Sequence, residues 1–121
     1  MNFAGLPQKI GVKELTSEGE FDLAIATCEA CVIDVFTTWC GPCTKIKPFF
    51  ATLPERFNGF KFFNMDLDKN KFLGQKYSVT SIPTFLFIYK GKIVKTMAGA
   101  DEGGIISNIS WMVNTYKIEN P

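Results

Sequence analysis

Residues 31–38, Cys-Val-Ile-Asp-Val-Phe-Thr-Thr, constrain the fold more than any other stretch of the chain. Both alternating faces are apolar or β-branched except at Asp34, and a strand of that composition has to be covered on both sides. Covering of that kind is supplied by helices packed above and below a sheet. The question is whether the rest of the chain offers such helices, and what the cysteines flanking this strand then do.

Apolar periodicity and breakers supply the other elements. Residues 11–15 read as a short strand, and Ser17 with Glu20 forms a capping box ahead of a helix through residues 20–26. After Thr38 the apolar residues Cys43, Ile46, Phe50 and Leu53 recur at helical spacing. Pro42 fits the first turn of that helix, Pro48 predicts a kink inside it, and Asn58-Gly59 ends it. Residues 60–68 read as a strand, 70–77 as a short helix and 83–89 as another strand, which the two-residue turn Lys90-Gly91 joins to a last strand at 92–98. A closing helix over residues 102–116 carries the stripe Ile105, Ile109, Met112, Val113 and Tyr116. The order β-α-β-α-β-α-β-β-α predicts an α/β domain: a mixed central sheet, parallel crossovers followed by an antiparallel hairpin, helices on both faces. At 121 residues the chain reads as one domain, 1–121, large enough to bury a core without a disulfide staple or structural metal.

Charge narrows the partners. Thirteen basic residues nearly cancel twelve acidic ones, leaving a formal charge of +1, so neither nucleic acid nor a membrane surface is an expected partner. The amino-terminal stretch, residues 1–15, lacks a basic start followed by an apolar segment, and no run approaches the ~18 apolar residues of a membrane span. The expected location is cytoplasmic, where thiols stay reduced and a Cys-X-X-Cys is catalytic or metal-binding. The chain contains no histidine, which excludes Cys-His catalysis and any imidazole ligand.

All four cysteines lie between residues 28 and 43, as the pairs Cys28-Glu29-Ala30-Cys31 and Cys40-Gly41-Pro42-Cys43. A shared zinc ion would need the sulfurs within about 4 Å of one another. A strand over residues 32–37, at roughly 3.3 Å per residue, holds Cys31 and Cys40 about 20 Å apart. Zinc and the strand exclude each other, and the composition favours the strand, so no metal is expected. Cys40 then falls at the start of a helix, where free backbone N–H groups favour a thiolate, and Cys43 lies one turn in, within reach of it.

Trp39-Cys40-Gly41-Pro42-Cys43, with the segments 32–48 and 78–100 around it and around Ile82-Pro83-Thr84, resembles the thioredoxin family in register over residues 12–116. The resemblance implies the thioredoxin fold and a general protein-disulfide reductase, an electron carrier in which Cys40 attacks a target disulfide and Cys43 resolves the mixed disulfide. It also implies disulfide-containing proteins as substrates and electrons from NADPH through a separate thioredoxin reductase, with no cofactor on the chain itself. Lowering a thiol from about 8.5 to about 7, a value for which thioredoxin is itself the standard example, raises the thiolate about 16-fold but costs about 5-fold in nucleophilicity. The remainder of the rate has to come from docking the target and keeping the second thiol near.

Asp34 matches the buried carboxylate of the family and would take the Cys43 proton; taken alone it is equally an ordinary aspartate near a strand end. The family often carries a lysine beside it on the next strand. Here that position is Asn64, which predicts a larger upward pKa shift for Asp34 than a neighbouring cation would allow. Pro83 matches the family's cis-proline, against a trans proline as the reading from residues alone. Trp39, Gly41, Pro42, Ile82, Gly99 and Ala100 match the flat apolar surface around the family's reactive pair, although Trp39 by itself reads as core. That surface would leave the chain a monomer with a weak capacity to dimerise through Trp39. Intact thiols argue against the rival reading, a scaffold module that uses the fold without the chemistry.

Cys28 and Cys31 match nothing in the family's site. Two readings stand: a buried small side chain at Cys31 with a loop residue at Cys28, or a second, regulatory disulfide between them. Pairing between molecules through Cys28 is a third.

Overall fold

A computed structural model describes residues 11–121. The elements are β1 (Val12–Glu14), α1 (Glu18–Thr27), β2 (Ala30–Phe36), α2 (Gly41–Phe50), α3 (Leu53–Arg56), β3 (Lys61–Asp66), α4 (Phe72–Tyr77), β4 (Thr84–Tyr89), β5 (Lys92–Ala98) and α5 (Glu102–Tyr116). The strands form one sheet in the order β1-β3-β2-β4-β5. Strand β3 runs parallel to β1 and β2, and β4 runs antiparallel to β2 and β5, which is the mixed sheet expected from the order of elements.

The centre of the sheet is β2, as its two-sided apolar composition demands, and every residue from Ala30 to Val35 is buried. Alternate side chains feed two separate cores. Ala30 and Val32 join Phe62, Phe85 and Phe87 under α2, α3 and α5, where Ile46, Phe50, Leu53, Ile105, Ile109 and Met112 close the layer. Cys31, Ile33 and Val35 join Phe63, Met65, Leu86 and Ile88 on the other face, under Phe21 of α1 and Leu73 of α4. At roughly 1.5–3 kcal/mol for each large apolar side chain buried, these two layers dominate the stability. The period of two places Asp34 on the α2 face and Cys31 on the α1 face.

Local signals explain the ends of the elements, with two departures from the sequence reading. Ser17 caps α1 by accepting from the Glu20 N–H at 3.1 Å, but the Glu20 carboxylate accepts from the N–H of Thr16, at 2.7 Å, and from its hydroxyl. The box therefore closes one residue earlier than expected. The helix expected to kink at Pro48 carries that proline within α2 and is interrupted instead at Ala51–Thr52, between α2 and α3. Pro54, in the first turn of α3, has no N–H to offer the Phe50 carbonyl, and the chain breaks where that bond is lost. The β4–β5 turn puts Lys90 at φ 48° and Gly91 at φ 83°, a left-handed pair that matches the twist of a tight hairpin.

The reading of the amino-terminal stretch rests mainly on residues 1–10, which lie outside the described residues. Among the described residues no helix is long and apolar enough to cross a membrane.

Candidate active site

At the carboxyl end of β2, Thr37–Cys40 turn the chain into α2. Cys40 is the N-cap of that helix, with φ −91° and ψ 114°, and its Sγ accepts the Cys43 N–H at 3.2 Å. A sulfur in the position normally filled by a serine or aspartate oxygen receives a free N–H and the positive end of the helix dipole, both of which favour a thiolate. Pro42 sits in the first turn, where its missing N–H costs nothing. Cys40 and Cys43 are joined by a disulfide, with Cα atoms 5.3 Å apart.

Behind the disulfide lies a cavity of about 210 Å³ whose lining includes Asp34, Thr37, Cys43, Thr44, Lys47 and Asn64. Asp34 and Asn64 are register partners across β2 and β3, so both side chains leave the sheet on the α2 face. Asp34 Oδ1, Thr37 Oγ1 and Asn64 Oδ1 are all buried with no hydrogen-bond partner among the described residues. Burial pushes the Asp34 carboxyl up to about 7, against the opposing charge of Lys47. The upward shift follows from desolvation as the sequence reading expected. The absence of a nearby cation does not: α2 supplies Lys47 where β3 supplies Asn64. Lys47 stands four residues after Cys43, one helical turn along the same face, and that spacing was the available signal.

The remaining site residues come from three loops. The Ile82–Pro83 peptide bond is cis. The carbonyl of Pro83 accepts the Gly99 N–H at 2.8 Å, and the Thr84 hydroxyl donates to the Ser81 carbonyl at 2.6 Å, which ties the proline loop to the end of β5. Gly99 makes its approach at φ +103°, a conformation that favours glycine. A groove of about 280 Å³ brings Gly41, Pro42 and Ile46 of α2 against Ala100 and Glu102. Pro83 is buried and Ile82 half-buried. Trp39 is 72% exposed, so it stands at the surface and not in the core. Its Nε1–H donates to Asp68 Oδ2 at 2.8 Å. Asp68 was not found from sequence, because nothing local links residues 29 positions apart.

Cys28 and Cys31 stand at the other end of β2. Cys28 is the C-cap of α1, and both its N–H and its Sγ reach the Ala24 carbonyl at 3.1 Å. Cys31 is fully buried in the α1-side core. The structure leaves both as free thiols; the neighbouring Cys31 side chain holds Cys28 down, to about 7, and Cys28 together with burial pushes Cys31 up.

Comparison with known proteins agrees with this geometry. The family model described as Thioredoxin matches residues 12–110. Thioredoxin 1 of Plasmodium falciparum is 35% identical over 94 residues, covering 78% of this chain and 90% of that protein. Rabbit (Oryctolagus cuniculus) thioredoxin is 38% identical over 101 residues, 82% of this chain and 96% of its own. Among solved structures, Plasmodium falciparum thioredoxin superposes with a TM-score of 0.79 at 34% identity, covering 83% of this chain and 98% of that one. Mitochondrial thioredoxin 3 of Saccharomyces cerevisiae gives 0.78 at 28% identity, covering 82% and 93%. On sequence, fold and the disposition of Cys40 and Cys43 together, the chain belongs to the thioredoxin family.

Proposed function

We propose that this chain reduces disulfide bonds in other proteins, cycling between a Cys40/Cys43 dithiol and the disulfide seen in the structure. The observation that carries the reading is one arrangement: a reactive pair capping a helix N-terminus, with a buried carboxylate behind it and an exposed, largely apolar rim in front. In the reduced state the Cys40 thiolate attacks one sulfur of the target, forming a mixed disulfide and releasing the other target sulfur as a thiolate, which is protonated. Asp34 accepts the Cys43 proton across the cavity they share. The Cys43 sulfur then attacks Cys40, freeing the second target thiol and closing the Cys40–Cys43 bond. Two electrons and two protons pass to the target.

Trp39, Gly41, Pro42, Ile82, Gly99 and Ala100 form the docking surface, with the Ile82 backbone beside Pro83 available to pair with an extended segment of substrate. Few directional groups stand on that surface, which suits a reductase of many proteins. Electrons reach the disulfide from NADPH through a separate thioredoxin reductase, and the setting is cytoplasmic. The protein works as a monomer, and the Trp39 face allows weak dimers.

Reduction of insulin, followed by precipitation of its B chain, tests the reading. The Cys40→Ser variant is expected to fall to the background rate of the reductant alone. Turnover equal to that of the unsubstituted protein would overturn the mechanism.

A further inference from the structure

The second cysteine pair is unused by the chemistry above, and three observations give it a use. The first is juxtaposition. Helix α1 ends at Thr27, and Cys28 leaves helical geometry at φ −99° and ψ 143°. The chain thus turns through Glu29 before β2 begins, and Cys28 packs against the core cluster that holds Cys31, three residues on. The second is asymmetric access. Cys28 is half-buried and lines a groove whereas Cys31 is fully enclosed, so Cys28 is the one of the two that can be approached from outside. The third is a groove of about 440 Å³ at Cys28, with Leu23, Ala24 and Phe62 along it and the cations Lys13 and Lys61 at its sides. Lys61 is the register partner of Cys31 and acts on the Cys28 sulfur. Glu20, the one acidic residue of the lining among the described residues, stays ionised, its carboxylate held by Thr16 and facing Lys13, so the two cations still leave the groove net positive.

We propose that Cys28 and Cys31 form a second thiol–disulfide couple, oxidised at this groove by a small anionic disulfide. The Cys28 thiolate attacks one sulfur of R–S–S–R; that bond breaks, one R–S⁻ departs and is protonated, and Cys28–S–S–R forms. Cys31 gives up its proton to the second leaving thiolate as its sulfur attacks Cys28. The bond to R breaks and the Cys28–Cys31 disulfide closes. Two protein thiols are oxidised and one disulfide is reduced to two R–S–H, so atoms and electrons balance. Lys13 and Lys61 select for carboxylates on R, and the groove has room for a peptide of a few residues and no folded partner.

The Cys40→Ser/Cys43→Ser variant isolates this couple and makes its test independent of disulfide reduction at Cys40. It is equilibrated with mixtures of reduced and oxidised glutathione, quenched in acid, alkylated and weighed intact. The expected result is a two-electron transition from a species with two alkylatable thiols to one with none, lighter by two hydrogens and free of adduct. Two alkylatable thiols at every ratio overturn the proposal, and so does a glutathione adduct that persists with Cys31 still alkylatable. Adding Cys28→Ser, at a half-buried position that leaves the core intact, is expected to keep Cys31 reduced throughout; oxidation of Cys31 in that variant would equally overturn it. Circular dichroism of each variant confirms that a folded chain is being read.

Discussion

The two Cys-X-X-Cys pairs share a spacing and a strand, and almost nothing else. Cys40 begins a helix, and its sulfur accepts a backbone N–H; Cys28 ends one, and its sulfur donates to a backbone carbonyl. Cys43 shares a cavity with a buried carboxylate on the α2 face of the sheet, whereas Cys31 faces the opposite core among Phe21, Ile33 and Leu86. Spacing alone brings two sulfurs within reach of each other. What separates the two pairs is the polarity of the adjoining helix end and the buried carboxylate that only one of them has behind it.

Removing the resolving sulfur from each pair gives the largest test of that difference. In single-turnover reduction of insulin, Cys43→Ala is expected to slow release of product by about 10³-fold or more, because an intramolecular attack is replaced by a second bimolecular one. A mixed disulfide at Cys40 accumulates, detectable by mass. Cys31→Ala is expected to leave the same rate within about twofold, since that side chain lies beyond the strand from the reacting sulfurs. Equal losses in the two variants would mean that the pairs act in series, and the contrast drawn between them would fail.

A medium effect separates the two ends of β2 by pH. The Asp34 carboxyl titrates near 7 when folded against 3.8 when exposed, so the unfolded chain gives up this proton first as pH rises. Below the lower value both states hold the proton and folding carries no penalty. Between the two values stability falls with rising pH, and above the upper one the penalty is complete, on the order of 4 kcal/mol at ~1.4 kcal/mol per unit. Asp34→Asn is therefore expected to raise unfolding stability by roughly 2–4 kcal/mol at about pH 8 and to change it little at about pH 3. Urea titrations at the two pH values measure this. A gain of equal size at both would show that packing, and not an ionisable group held in an apolar site, sets the effect.

Much of this was written plainly in the chain. The apolar run through Asp34 announced a central strand because no face of it could tolerate water, and the closing helix over residues 102–116 is bounded as its stripe indicates. Lys90-Gly91 marked its hairpin because few residue pairs accept two positive φ angles. The break at Ala51–Thr52 was missed because Pro48 is the more conspicuous proline, although Pro54 removes the bond that matters. Asp68 and Lys47 were missed for a different reason. Their roles depend on which faces meet after folding, and Trp39 had to be placed at the surface before Asp68 could be its partner.

The smallest expected effect concerns the cation that replaces the lysine sought at residue 64. Lys47 lowers the Asp34 pKa while burial raises it, so Lys47→Gln is expected to move the carboxyl titration further up, and Asn64→Lys to move it down. The Asn64 shift is expected to be the larger of the two in magnitude. Residue 64 is the register partner of Asp34 on the adjoining strand, whereas Lys47 is exposed, with its charge screened by water. Carbon-detected NMR of the Asp34 carboxyl follows both variants across the titration. The same two substitutions are expected to leave the Cys28 thiol unmoved, since it lies at the far end of β2. If Lys47→Gln left Asp34 unchanged, the carboxyl would be governed by burial alone, and the cavity behind Cys43 would differ from the surroundings of Cys31 only in holding an acid.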